Sequence, residues 1–226
     1  MQKALSFLSN LSPNNNRDWF QANKSAYEAA HEEMIAFADR LLSEMNTHDV
    51  IETPTGRKSL YRIYRDVRFS KDKTPYKTHW AGRMKRAGAE RRGGYYYKIG
   101  LKESYAVGGF FGPNAKDLLH FRNQIALDAE PLRSIIESEA FKNTFGELKG
   151  EQLKTAPKGF EKDHPEIDLL RYKQYFIRHD FTRELVLDTR FHKTVSETFK
   201  IMRPFLDCMT EKITTDLNGI PINPNF

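Results

Sequence analysis

The sequence predicts an α+β fold: an antiparallel β-meander of about four or more strands packed against N-terminal and C-terminal helices. Three observations predict it. Apolar residues recur at three- and four-residue spacing up to about Met45 and again after Pro113, the period of a helix face. Between Leu60 and Phe111 the period falls to two, in segments rich in aromatic and β-branched residues. The connections between those segments are short, which makes neighbouring strands antiparallel. With 226 residues, 39% of them hydrophobic and 16 of them Phe, the chain can bury an aromatic-rich core. The expected organisation is one α+β domain over 1–226, with an N-terminal helical part at 14–46, a sheet and basic part at 60–111, and a mainly helical part at 114–215.

Asn14, Asn15 and Asn16 offer capping side chains before Arg17, and Asp18 suits a first helical turn, so a helix begins there. Phe20, Tyr27, Ala30, Met34, Phe37 and Leu41 carry its apolar stripe to about Met45. Asn23 and Lys24 interrupt that stripe, marking either a break between two tandem helices or a polar group aimed inward. Leu60 to Phe69 alternates: Tyr61, Ile63, Arg65, Val67 and Phe69 on one face, Arg62, Tyr64, Asp66 and Arg68 on the other, as in a strand. Trp80–Arg86, Tyr95–Leu101 and Ser104–Phe111 read as further strands, separated by Gly88, Gly93-Gly94 and Lys102-Glu103. Leu118, Phe121 and Ile125 define a helix, Pro131 and Ser138 open two shorter ones, and Gly146 ends the stretch. A loop follows, with a short strand expected at Gln152–Thr155, a short helix from Pro165 and a further strand at Gln174–His179. Val195, Phe199, Met202, Leu206, Met209 and Ile213 form a closing helix that Pro204 should kink or split after Met202, and the tail from Gly219 to Phe226 reads as extended.

Charge is unevenly placed. Arg57 to Arg92 holds 13 basic residues against 3 acidic ones, a net +10, while the rest of the chain is −4. Such a zone attracts phosphate, carboxylate or nucleic acid, unless it is only a solvated surface. Cys208 is the one cysteine, so no intramolecular disulfide or thiolate zinc site is built, and a reducing, cytoplasmic setting is expected. The start of the chain lacks a cleavable leader pattern, and no apolar run suits a membrane span.

The chemistry concentrates in Arg62 to Lys77. Arg65 is the anomaly, since alternation places it with Ile63 and Val67, and an arginine there needs a carboxylate, a run of carbonyls or a bound anion. Lys71, Lys73 and Lys77 surround Asp72 in the following loop, where Pro75 restricts the backbone and Tyr76 offers a ring for stacking. The pattern is either a phosphate cradle or a solvated turn held by Asp72.

Asn15-Asn16-Arg17-Asp18-Trp19-Phe20, Lys24, Tyr27 and the whole stretch Arg62 to Lys77 resemble the mainly bacterial and fungal family catalogued as domain of unknown function 2461. Weaker similarity continues through Gly93-Gly94-Tyr95-Tyr96, Gly108-Gly109-Phe110, Leu153-Lys154, Pro157-Lys158-Gly159-Phe160, His164-Pro165, Leu169 to Lys173 and Arg203-Pro204, nearly the full chain. The resemblance implies one compact α+β domain and a constrained site, and it brings no activity. It raises the weight of Arg62, Arg65, Asp66, Arg68, Lys71, Asp72, Lys73, Tyr76 and Lys77 as a ligand-binding or structurally critical group, with Lys24, Trp19 and Tyr27 as a wall from the N-terminal helix.

Familiar catalytic templates fail: there is no His-Glu-x-x-His, no P-loop and no dinucleotide-binding glycine pattern, and His192-x-Thr194 lacks the second copy a two-histidine phosphoesterase needs. No metal set and no cofactor are named. The leading expectation is binding of an anionic, phosphate-containing small molecule or nucleic acid at Arg62–Lys77. Two others stand beside it: a metal-dependent phosphoryl or phosphodiester-cleaving enzyme using Asp66 or Asp72, and a structural or interaction protein whose Arg/Asp network is internal.

Overall fold

The computed structural model describes residues 1–88 and 93–222. The close of the basic segment at 89–92 and the end of the expected extended tail at 223–226 lie outside the described residues. The elements in chain order are α1 (Gln2–Leu11), a 3-10 turn (Ser12–Asn14), α2 (Arg17–Ala22), α3 (Lys24–Met45), α4 (Gly56–Ser59), β1 (His79–Met84), β2 (Tyr95–Gly100), β3 (Ser104–Phe110), α5 (Ala115–Leu127), α6 (Glu130–Ile136), α7 (Glu139–Phe145), α8 (Ile167–Leu170), β4 (Tyr175–Phe181), α9 (Arg183–Leu187) and α10 (Phe191–Thr214). The strands form a four-stranded antiparallel sheet of order β1-β2-β3-β4, so the class is α+β.

The meander is built from a different set of strands than the periodicity predicts. Leu60–Phe69 is not a ladder strand; it makes isolated bridges only, Leu60 with Gly82 and Tyr64 with Tyr76, and β4 supplies the fourth strand. Its alternation is kept only from Arg62 to Arg68, with Ile63 buried, Arg65 and Val67 half-buried and Arg62, Tyr64, Asp66 and Arg68 exposed; Tyr61 and Phe69, expected on the Ile63 face, are both exposed. The opposing segment contains Pro75, which has no N–H to donate to a ladder, so the two stretches pair briefly and then diverge. Gln152–Thr155 likewise reduces to one bridge, Gln152 with Tyr172, and the helix expected from Pro165 starts at Ile167.

Helix α1 is not among the sequence expectations, although Ala4, Leu5, Phe7, Leu8 and Leu11 follow helical spacing and are all buried. The interruption at Asn23 is a true break: α2 ends there, and the Asn23 Nδ2 donates back to the Trp19 carbonyl at 2.9 Å. Pro204 does not split the last helix, which runs unbroken from Phe191 to Thr214. Phe199, Met202, Phe205, Leu206 and Met209 are buried along it. At about 1.5–3 kcal/mol per buried large apolar side chain, that burial outweighs the roughly 3 kcal/mol penalty of an interior proline.

By internal contacts the chain divides into two compact units: Met1–Met84 with Tyr96–Ala106 and Asp180–Glu197, and Lys85–Tyr95 with Val107–His179 and Thr198–Phe226. In the first, α1 packs on α3, and α3 on α4 and β1. The Trp80 indole N–H donates to the Ala4 carbonyl at 3.1 Å, and Phe37 lies edge-on to Tyr97. Gly82 is required by a close approach, because a Cβ there would strike the Tyr97 ring. In the second, Phe121 meets Tyr175 edge-on at 4.7 Å and Tyr95 packs on Phe199. There the fully buried Arg86 is paired with Asp207, and Cys208 is buried, its thiol pushed up to about 11 by that burial.

Candidate functional site

Residues 61–78 form an arm of the first unit, paired to itself near its base. The Arg65 N–H donates to the Pro75 carbonyl at 2.9 Å and the Lys77 N–H to the Ile63 carbonyl at 2.8 Å. The arm is tied to the N-terminal turn by Asn15, whose carboxamide bonds the Tyr76 backbone in both directions: Nδ2 to the carbonyl at 2.9 Å, Oδ1 from the N–H at 3.1 Å. Asn16 caps α2 by accepting from the Trp19 N–H at 2.9 Å. The consecutive asparagines thus do separate jobs, one capping a helix and one clamping the arm.

Most of the expected site residues turn to the arm's own acceptors. Arg65, with a quarter of its side chain exposed, donates from Nη1 to Asp72 Oδ2 at 2.6 Å, to the Thr74 carbonyl at 3.1 Å and to the Thr74 hydroxyl. Asp72 Oδ1 accepts from the Thr74 N–H at 2.9 Å and from its hydroxyl at 2.8 Å. Those Thr74 bonds first, and then Arg65, hold the Asp72 carboxyl down at about 2. Arg68 chelates Asp66, with Nη2 at 2.7 Å and Nε at 2.9 Å, and this bond lowers the Asp66 carboxyl below its usual range. Lys73 donates to the Val67 carbonyl at 3.0 Å and Lys77 to the Arg62 carbonyl at 2.8 Å. Arg65 is therefore a staple across the loop 70–74, the answer to its half-buried charge.

Tyr76 is buried and stacked flat on Phe20 at 4.1 Å, so its ring belongs to the packing. Tyr27 packs among Phe7, Phe20 and Trp80. Trp19 lies 6.1 Å from Phe7, and Lys24 is exposed beside Glu28 at 3.9 Å. Arg62 and Lys71 are exposed, with side chains open to solvent. Asp66 and Asp72 sit on separate ion pairs, and among the described residues no group of three or more His, Cys, Asp or Glu is placed to hold a metal ion.

Beyond the foot of the arm lies a cavity of about 370 Å³, lined by Ser12, Thr78, His79, Lys98, Lys102 and Glu103 with the Gly100-Leu101 backbone. Lys98 Nζ is 2.6 Å from Glu103. His79 is driven down to about 4 by burial and then by the nearby Lys98 and Lys77, so its imidazole is neutral near pH 7. Lys77 is itself lowered by burial and by Arg62. The cavity wall thus sits in a positive field with one carboxylate in it. Sequence reading passes over His79, Lys98 and Lys102; the alternation in β2, which puts Lys98 opposite the buried Tyr97 and Ile99, is the signal that finds Lys98.

The chain matches the family model described as "Conserved hypothetical protein (DUF2461)" over residues 3–207 and belongs to that family. No curated protein and no solved structure matches it. Among the described residues no helix is long and apolar enough to cross a membrane.

Proposed function

We propose, with membership of the DUF2461 family as the premise, that this chain binds an anionic, phosphate-containing ligand in a cytoplasmic setting, at the cavity beyond the foot of the arm. The observation that carries the reading is the set Lys98, Lys102 and neutral His79 around a 370 Å³ space, next to Lys77, against the single carboxylate of Glu103. Lysines supply point charges to a phosphate, Thr78 and Ser12 supply hydroxyls, and the neutral imidazole supplies one donor without a second charge to solvate. The basic residues at 62 and 71 extend the positive field outward.

A second reading has its own support. The Arg65–Asp72–Thr74 and Arg68–Asp66 groups are satisfied within the arm, which favours a structural role for that half of the signature, fixing the arm's shape so that Thr78 is delivered to the cavity with Lys77 next to it in the chain. Both readings are tested together by calorimetric titration with inorganic pyrophosphate. Saturable binding that Lys98→Met weakens at least about fivefold, with the fold intact, supports the anion site. Absence of binding, or binding indifferent to Lys98→Met, overturns it.

A further inference from the structure

The outer face of the sheet in the first unit carries a row of rings. Tyr97 and Ile99 of β2 and Ser104 and Ala106 of β3 point into the core, so alternation sends Tyr96, Lys98 and Tyr105 to the opposite face. Tyr61 extends that face at the β1 edge, its N–H bonded to the Ala81 carbonyl at 2.9 Å, and its side chain is 45% exposed. The ring centroids of Tyr61 and Tyr96 are 6.1 Å apart and those of Tyr96 and Tyr105 are 6.2 Å apart. An ammonium stands at each end: Lys77 Nζ lies 5.6 Å from the Tyr61 ring and Lys98 Nζ 5.4 Å from the Tyr105 ring. Arg83 of β1, on the same face by alternation, is exposed.

We propose that this face binds single-stranded nucleic acid, with bases stacked on Tyr61, Tyr96 and Tyr105 and phosphates on Lys77, Lys98 and Arg83. The inference rests on the anion-binding reading and names its ligand class. Rings lying across adjacent strands, bordered by cations, are the arrangement that unpaired bases use, since every base offers a π-face and every linkage a negative charge. A duplex keeps those π-faces stacked inside and has no use for the tyrosines. Glu103 opposes a phosphate directly, and its 2.6 Å contact fixes the Lys98 ammonium on the ring side of the strand. With His79, Lys98 also lines the cavity, which would receive a phosphate there.

The test is fluorescence anisotropy of the full chain with a labelled oligothymidylate of about 12 nucleotides. Binding should weaken about ten- to twentyfold between about 50 and 200 mM salt. Tyr96→Ala and Tyr105→Ala should each weaken it roughly tenfold and Tyr96→Phe should not. Should Tyr96→Ala unfold the chain, the exposed Tyr61→Ala serves in its place. If pyrophosphate binds the cavity but the oligonucleotide binds no tighter, or the tyrosine variants bind it unchanged, the nucleic-acid inference fails and the anion reading survives. Tighter binding of the matching duplex also overturns the inference. If neither pyrophosphate nor oligonucleotide binds, both fall.

Discussion

In the arm, the guanidinium groups of Arg65 and Arg68 lie 2.6 and 2.7 Å from Asp72 and Asp66, and each carboxylate is only two to seven residues away along the chain. Around the cavity Lys98 has Glu103, while Lys77 is held by a carbonyl and His79 is kept neutral by burial first and by the neighbouring Lys98 and Lys77 second. The arm lies wholly inside the basic stretch Arg57–Arg92, whereas the cavity takes only Thr78 and His79 from it and draws Lys98 and Lys102 from beyond it. Charges neutralised within their own loop, Lys98 by Glu103 among them, define a shape and leave little field outside it, whereas cations bonded to carbonyls, Lys77 beside the cavity and Lys73 in the arm, keep their charge available. The density of Arg and Lys therefore marks a neighbourhood, and the carboxylates decide which part of it faces a ligand.

The contrast is tested most severely by changing two cations at the cavity and one in the arm. Lys98→Met combined with Lys102→Met should weaken pyrophosphate binding by about tenfold or more, measured by calorimetry, because both lysines lining the cavity are lost. Arg65→Met should leave that affinity within about twofold and instead lower the melting temperature by about 2 to 6 °C, since Asp72 and Thr74 lose their shared donor. If the two variants exchange these effects, the division of labour is wrong.

Titration sharpens the contrast further. His79 is depressed from 6.5 to about 4, so between those values the unfolded chain binds the extra proton and the folded chain does not. Its contribution to stability is complete above about pH 6.5 and is lost as the pH falls toward 4. Melting curves over that range should fall by a few degrees, and His79→Asn should flatten part of the drop. Asp72, held at about 2, behaves as the depressed carboxylate: its contribution is present above about pH 4 and disappears as the pH falls through 2. The smallest expected effect is a local one, faster hydrogen exchange at the Thr74 amide near pH 2 to 3, before the remaining protection in the first unit is lost.

How much of this was legible in the sequence depends on range. Period and punctuation located β2, β3, β4 and α5 to α7, because each is specified by its own residues: Ser138 caps α7 and Gly146 closes it with positive φ. The Leu60–Phe69 alternation holds as two faces from Arg62 to Arg68 but not at Tyr61 and Phe69, which are exposed, and it makes no ladder strand, since a ladder depends on the partner, and the partner contains Pro75. Arg65 stands out in the sequence as a residue that needs a carboxylate, carbonyls or an anion, and the carboxylate it finds is seven residues away in its own loop. The clamp of Asn15 on Tyr76 spans 61 residues and leaves no local trace. Tyr76 reads as a free ring beside a charged loop, and only tertiary stacking on Phe20 shows it as packing.

An anion is expected to meet the cavity wall and not the guanidinium groups of the arm. Chemical-shift mapping of backbone amides during a titration with inorganic pyrophosphate tests it most directly. Shifts concentrated at Thr78, His79 and Lys98 to Glu103, with Arg65 to Thr74 unmoved, are the predicted result. Shifts concentrated at Arg65 to Thr74 over a silent cavity wall would contradict it.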